Sequence, residues 1–223
     1  MTSKTELVVG KENMQKLKKA KILILGVGGV GGYVVEMFAR LGVENLTIVD
    51  FDKVDTSNIN RQTIAYLSTV GKNKVEVFEK IVKDINPNCL LKSHLCKISA
   101  NNLQEVFNDD FDYVIDAIDD IKAKVEVAKY CHKNNINLIS SMGTGNRYKQ
   151  VPQFEICDIY KTSYDKLAKK LRKLLKDEGI NKLQVVYTKQ QPEQTDSLGS
   201  VVYYPLMCAG TIVSFVTNKI LEK

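Results

Sequence analysis

The chain lacks any apolar run approaching the roughly 20 residues that a membrane span requires. Its first stretch, "MTSKTELVVGKENMQKLKKA", carries charges where a signal peptide needs an apolar centre. Both absences point to a cytoplasmic protein with no membrane association. Paired cysteines are missing too. The five cysteines, Cys89, Cys96, Cys131, Cys157 and Cys208, are scattered and odd in number, and no CxxC occurs. That argues against a disulfide framework and leaves a tetrathiolate zinc site without its spacing. Buried structural thiols fit the usual burial of cysteine. Internal repeats and low-complexity segments are also absent. With 26% charged and 44% hydrophobic residues, the composition excludes wholesale disorder. The 223 residues suffice for one full α/β core with an appended subdomain, not for two large domains.

Basic charge is concentrated in one place. Between Lys161 and Lys176 stand seven basic residues (Lys161, Lys166, Lys169, Lys170, Arg172, Lys173 and Lys176) against Asp165 alone, which equals the net charge of +6. At about 100° per residue, Leu167, Leu171, Leu174 and Leu175 share one arc of a helix, and Lys166, Lys169, Lys170, Lys173 and Lys176 take the opposite face. A basic face on a docked helix suits a phosphate backbone. The alternative is an ordinary solvated lysine face. Membrane-surface binding lacks aromatic anchors among the leucines.

Elsewhere, short β-rich runs alternate with amphipathic stretches. The runs "KILILGV", "NLTIVDF", "CLLKSHL", "FDYVIDAI" and "INLISS" predict strands, and residues 30–41, 73–85 and 120–133 predict helices between them. This is the alternation of βαβ units. It implies an α/β fold with a doubly wound, Rossmann-like, mostly parallel sheet over about residues 20–142. After Gly145 the pattern changes to an α+β extension continuing the sheet, over about 150–223. There "VPQFEICDIY", "LQVVYTK" and "GSVVYY" predict strands, 164–177 and 206–221 predict helices, and "KQQPEQTDSLGS" predicts a loop. Residues 1–223 are expected to form one domain.

In "GVGGVGG", Gly26, Gly28 and Gly31 fit G-x-G-x-x-G between a strand and a helix, and Asp50 ends the next strand. The first glycine permits the bend, the second admits a phosphate, and the third lets the helix pack on its strand. Anion binding at the helix N-terminus follows from its free N–H groups. Asp50 is placed to bind ribose hydroxyls. A nicotinamide or flavin cofactor is the default for this motif, and a ligand-free tight turn is the other alternative. Two features favour a triphosphate: the doubled glycine, and the donors Asn58, Asn60, Arg61 and Lys74 that follow the acids Asp50 and Asp52. A site that cleaves between phosphates uses such charge, although Arg61 and Lys74 as solvated surface cations is the plain alternative. In "VIDAIDD", Asp116 and Asp119 end a strand at the carboxyl edge of the sheet and are expected to face the site. A carboxylate beside a triphosphate usually holds Mg²⁺, which makes Asp119 the candidate metal ligand. Helix capping by Asp119 or Asp120 is the alternative.

The order "GVGGVGG", "DFDKVDTSNINRQ", "VGKNK" and "VIDAIDD" resembles the ThiF/MoeB/HesA family of adenylating enzymes, bacterial relatives of the ubiquitin-activating E1 proteins, over residues 5–142. The resemblance implies that ATP, not NAD, occupies the turn and converts a carboxylate into an acyl adenylate. By motif it implies phosphates against Gly28 and Gly29 in the turn shaped by Gly26 and Gly31. It further implies Asp50 on the ribose, Asn58, Arg61 and Lys74 on the triphosphate, Asp52 and Gln62 within the nucleotide site, and Asp119 on Mg²⁺. Arg61, Lys74 and Asp119 form its implied catalytic set.

Family members that activate a ubiquitin-like sulfur carrier commonly have two CxxC zinc pairs, which this chain does not, and it offers no obvious thioester cysteine. Its "CDIYKTSYDKLAKKLRKLLKDEG" and "GSVVYYPLMCAG" instead resemble the tRNA threonylcarbamoyladenosine dehydratases within the family. That likeness implies tRNA, through its anticodon loop, as the substrate of Lys166, Lys169, Lys170, Arg172, Lys173 and Lys176. A carrier-protein adenylyltransferase is the alternative. Family analogy also implies a homodimer in which an N-terminal arginine reaches the partner's ATP. Here "SKTELVVG" has Lys4 at that place, a point charge without a planar fork.

Overall fold

The computed structural model describes residues 3–222. Two helices, α1 (Ser3–Val9) and α2 (Lys11–Lys19), precede β1 (Lys21–Leu25), an inner strand of a seven-stranded sheet. Along β1, Ile22 and Ile24 enter the core on one face while Leu23 and Leu25 enter the core on the other. A strand covered on both faces reads as an unbroken apolar run, which is why "KILIL" shows no polar alternation.

From β1 the chain winds through α3 (Gly31–Leu41), β2 (Asn45–Val49), α4 (Lys74–Ile85) and β3 (Leu90–His94). It continues through α5 (Leu103–Val106), β4 (Tyr113–Asp116), α6 (Ile121–Lys133) and β5 (Leu138–Ser141). β2 and β4 flank β1 in parallel, β3 lies outside β2, and β5 outside β4. Winding therefore reverses between β1 and β4, which opens a crevice at their carboxyl ends.

The extension continues the sheet as expected. It comprises β6 (Glu155–Asp158), α7 (Lys166–Asp177), β7 (Gln184–Tyr187) and α8 (Tyr203–Leu221). β7 pairs parallel with β5, and β6 closes the edge antiparallel to β7. α6 and α7 cover one face. α2, α3, α4 and α8 cover the other, with α8 packed on α2, α3 and β7.

One predicted strand is a helix. "GSVVYY" reads as β by its branched and aromatic residues, yet Val202 caps α8, and Tyr203 and Tyr204 form its first turn. Packing overrides propensity there: Tyr204, Cys208, Ala209 and Ile212 are buried against the core. Pro205 is tolerated because the first helical turn needs no intrahelical N–H donors. The helix accordingly begins before the predicted residue 206.

Candidate active site

The glycine turn is built by close approach. Gly26 has φ 81°, and a Cβ on it would lie 2.9 Å from the Ala117 carbonyl oxygen of the neighbouring loop. A Cβ on Gly31 would lie 1.9 Å from the Gly26 oxygen, so α3 can start here only from glycine. A Cβ on Gly28 would meet nothing nearer than Gln62 Nε2 at 3.7 Å. Its bareness therefore serves the cleft, not the packing. Among the described residues, the Gly28 and Gly29 N–H groups have no acceptor, so both are free to bind an anion at the start of α3.

Around the turn lies a cleft of about 1360 Å³. Its lining includes Gly26, Gly28, Gly29, Asp50, Asp52 and Asn58. Arg61, Gln62, Lys74 and Asp119 line it as well. Gly31 is buried beneath the turn and supports it from behind. Asp50 Oδ2 accepts the Val27 N–H at 2.8 Å and Oδ1 accepts the Asp52 N–H at 2.8 Å, which fixes the carboxylate at the end of β2. Each oxygen keeps a lone pair for a ligand hydroxyl.

Lys74, the first residue of α4, is 4% exposed and donates to Asp52 Oδ2 at 2.8 Å. A cation at a helix N-terminus opposes the helix dipole, so Asp52 offsets that cost and aims the ammonium. Arg61 donates through Nη1 to the Ser57 carbonyl at 2.8 Å and to Asn60 Oδ1 at 3.0 Å, leaving Nε and Nη2 uncommitted among the described residues. Its Cγ lies 3.8 Å from where a Gly29 Cβ would stand. Asn58 accepts the Asp55 N–H at 3.1 Å in a reciprocal cap, and this ties the loop that carries Arg61. Gln62 Oε1 is buried with no partner among the described residues, an acceptor left for a ligand donor.

The acids at and just after the end of β4 divide three ways. Asp120 caps α6, accepting from the Lys122 and Ala123 N–H groups, and pairs with Lys97, whose hydrogen bond holds the carboxyl below its usual range. Asp119 is exposed to the cleft with no cation beside it among the described residues. Asp116 corrects an expectation: it does not face the cleft. It is 1% exposed, and its Oδ2 accepts from Lys124 Nζ at 3.0 Å and from the Ser140 hydroxyl at 2.6 Å. Lys124 also donates to the Ser141 carbonyl at 2.9 Å. A strand's last side chain follows the pleat, and here the pleat turns Asp116 under α6. Asp116 Oδ1 accepts the Ile118 N–H at 3.0 Å, so the buried pair anchors the loop that presents Asp119.

The basic helix is partly as predicted. Ala168, Leu171 and Leu175 are buried and Leu167 half-buried, while Leu174 lies at the rim, 37% exposed. Lys166, Lys169, Lys170, Lys173 and Lys176 are exposed, and Lys166 and Lys169 line the same cleft as the glycine turn. Arg172 lines the cleft as well, but it is tethered. Its Nη1 clasps the Ile159 and Thr162 carbonyls and the Thr162 hydroxyl, so its first task is to hold the turn before α7. Lys4 is exposed on α1 and is not among the residues of its own chain's cleft.

Sequence reasoning missed Phe51, Arg147 and Tyr164, all of which line the cleft. Phe51 lay in view inside "DFD". Arg147 gave no signal, because its partners are remote: Gly143 and Gly145 carbonyls, the Gln190 carbonyl, and Asp165 at 3.7 Å.

A free anion cradle, two cations in the lining and a carboxylate without a cation beside it among the described residues suit a bound nucleotide triphosphate. The sequence model of the ThiF family matches residues 3–217. The chain belongs to the ThiF family. Family relatives include the tRNA threonylcarbamoyladenosine dehydratase of Bacillus subtilis, 42% identical over 85% of this chain and 75% of that protein. The Haemophilus influenzae dehydratase is 37% identical over 93% of this chain and 78% of that protein. The Escherichia coli enzyme crystallised with AMP superposes with a TM-score of 0.95 at 29% identity, covering 99% of this chain and 94% of that one. Its complex with ATP superposes at 0.93 with 29% identity, covering 98% and 92%.

Proposed function

We infer that this family member is an ATP-dependent tRNA threonylcarbamoyladenosine dehydratase of the cytoplasm. The observation that carries the reading is continuity. One cleft runs from the bare Gly28–Gly29 cradle to Lys166 and Lys169 of the basic helix, which supports a single cavity for nucleotide and RNA phosphates.

In this reading the ATP ribose hydroxyls bind Asp50, and the phosphates lie on the Gly28 and Gly29 N–H groups. Arg61 and Lys74 neutralise charge as pyrophosphate separates. A threonyl carboxylate oxygen attacks the α-phosphorus, and the bridging oxygen leaves with pyrophosphate. The adjacent ureido group then attacks the acyl carbon, and AMP departs with the carboxylate oxygen. The nucleoside has lost one water. No enzyme nucleophile is needed, because the attacking group is held within the same substrate. Asp119 is the residue that would hold Mg²⁺, which supplies Lewis-acid neutralisation of the phosphates. A homodimer in which Lys4 serves the partner's site extends the same reading.

The test is incubation with ATP and tRNA bearing the modified adenosine, read by nucleoside mass spectrometry. A product lighter by one water, with stoichiometric AMP, is expected. Unchanged nucleoside alongside measurable ATP binding rejects the reading, and carrier-dependent pyrophosphate exchange indifferent to tRNA points to an adenylyltransferase.

A further inference from the structure

Tyr164 is an exposed aromatic held in a conformation that bulky residues rarely adopt. Its φ is 55°, in the left-handed region, where a non-glycine residue is strained. The flanks explain why the strain persists. Thr162 is gripped by Arg172 through its carbonyl and hydroxyl. Asp165 is buried, caps α7 through the Ala168 N–H at 2.8 Å, and accepts the Gly143 N–H at 3.0 Å. Arg147 stands behind it at 3.7 Å. Tyr164 thus lies between two tethered residues, Thr162 and Asp165.

What the strain displays is the ring. Tyr164 is 62% exposed, lines the cleft, and makes no hydrogen bond or ring contact among the described residues. Packing does not account for it. Lys166 and Lys169 of α7 line the cleft beside it.

Its place in the sheet selects the ligand. Asp50 follows β2, and Gly143, to which the Asp165 carboxylate is bonded, follows β5. The order β2-β1-β4-β5 separates them by three strand spacings, about 14 Å at about 4.8 Å each. The glycine turn and Asp119 lie between, after β1 and β4. Nucleotide ribose at the β2 end and phosphates over β1 and β4 leave the β5 end, with its bare ring and lysines, to the acceptor. Unpaired RNA bases bind proteins by stacking on aromatic side chains, with cations on the adjacent backbone.

We propose that Tyr164 is the stacking platform for the modified adenine base, fixing the reach of its threonyl carboxylate toward the α-phosphate; this rests on the dehydratase reading above. Stacking depends on the ring, not the hydroxyl, and strain depends on the backbone, so three proteins separate the two. Tyr164→Phe keeps the ring. Tyr164→Asn tolerates the left-handed conformation and removes the ring.

The experiment measures kcat and KM for tRNA bearing the modified nucleoside, with ATP affinity by titration calorimetry. Tyr164→Asn should raise the tRNA KM about ten- to a hundredfold, the range of one lost base stack. ATP affinity should stay within about twofold, which also reports that the variant is folded, and Tyr164→Phe should match the wild type. A Tyr164→Asn KM within twofold of wild type overturns the proposal and leaves the dehydratase reading standing. A wild-type protein that leaves the modified tRNA unchanged overturns both.

Discussion

Gly28 and Gly31 belong to one motif, yet the geometry assigns them separable tasks, and alanine at each should fail differently. At Gly31 the new Cβ would stand 1.9 Å from the Gly26 oxygen, so turn and helix must part by at least about 1 Å. Neither can yield easily. Gly26 is held by the Val49 carbonyl at 2.8 Å, and Gly32 donates to Gly28 at 2.9 Å. Overpacking costs about 1–3 kcal/mol, and a clash with pinned backbone belongs at the upper end. For a chain of this size about 3 kcal/mol lowers Tm by roughly 6–12 °C. At Gly28 the new Cβ has 3.7 Å of room and no positive φ to forbid it, so Gly28→Ala should leave apo Tm unchanged or raise it slightly. In the proposed ATP site the methyl instead occupies the phosphate's approach. Wild-type protein at about 100 times its ATP Kd gains about 2.7 kcal/mol, and Gly28→Ala should lose most of that shift. Differential scanning fluorimetry with and without ATP reads both effects. An ATP shift retained in Gly28→Ala, or an apo Tm unchanged in Gly31→Ala, refutes the division.

Lys124→Met strands the Asp116 carboxylate at 1% exposure, with only the Ser140 hydroxyl and the Ile118 N–H as donors among the described residues. It should cost about 3 kcal/mol in urea unfolding, the low end for a broken buried pair, and adding Asp116→Leu should restore much of it. Burial pushes the Cys89 thiol to about 11 and the Cys131 thiol to about 12, above the ordinary 9.0, and raises Cys208 as well. A thiol value raised by folding stabilises below the unfolded value and loses that contribution as pH rises through the folded one. The urea midpoint should therefore fall between pH 9 and 11, with these three thiols resisting alkylation at pH 8; equal reactivity of all the thiols contradicts this. Changing Lys170, Lys173 and Lys176 together to Gln should weaken tRNA binding and reduce its salt slope by about one for each phosphate no longer neutralised; an unchanged slope makes them solvated surface charges.

The nucleotide half was legible because its constraints are local. Glycines at Gly26, Gly28 and Gly31 interrupt a strand and a helix whose periods are clear, and Asp50, Arg61 and Lys74 follow at fixed loop spacings. Reading failed where a residue answers to remote chain. Asp116 looked like a cleft acid until Lys124 buried it. The clue was a lysine at the head of the apolar stripe formed with Val127, Ala128 and Cys131 on α6. Arg172 sat among basic neighbours, yet it serves carbonyls ten and thirteen residues away in sequence. "GSVVYY" has strand propensity, but the β7 edge is already taken by β6 and the hydrophobic face of α3 is open to a helix. Tyr164 gave no signal at all, because an unusual φ is set by what pins its neighbours.

The proposed chemistry turns on a carboxylate of the RNA substrate attacking the α-phosphorus of ATP held by Arg61 and Lys74. Supplying tRNA whose threonyl carboxylate carries oxygen-18, and weighing the AMP released, tests this directly. AMP bearing one labelled oxygen for each nucleoside dehydrated is predicted; unlabelled AMP, with the label retained in the nucleoside, contradicts it.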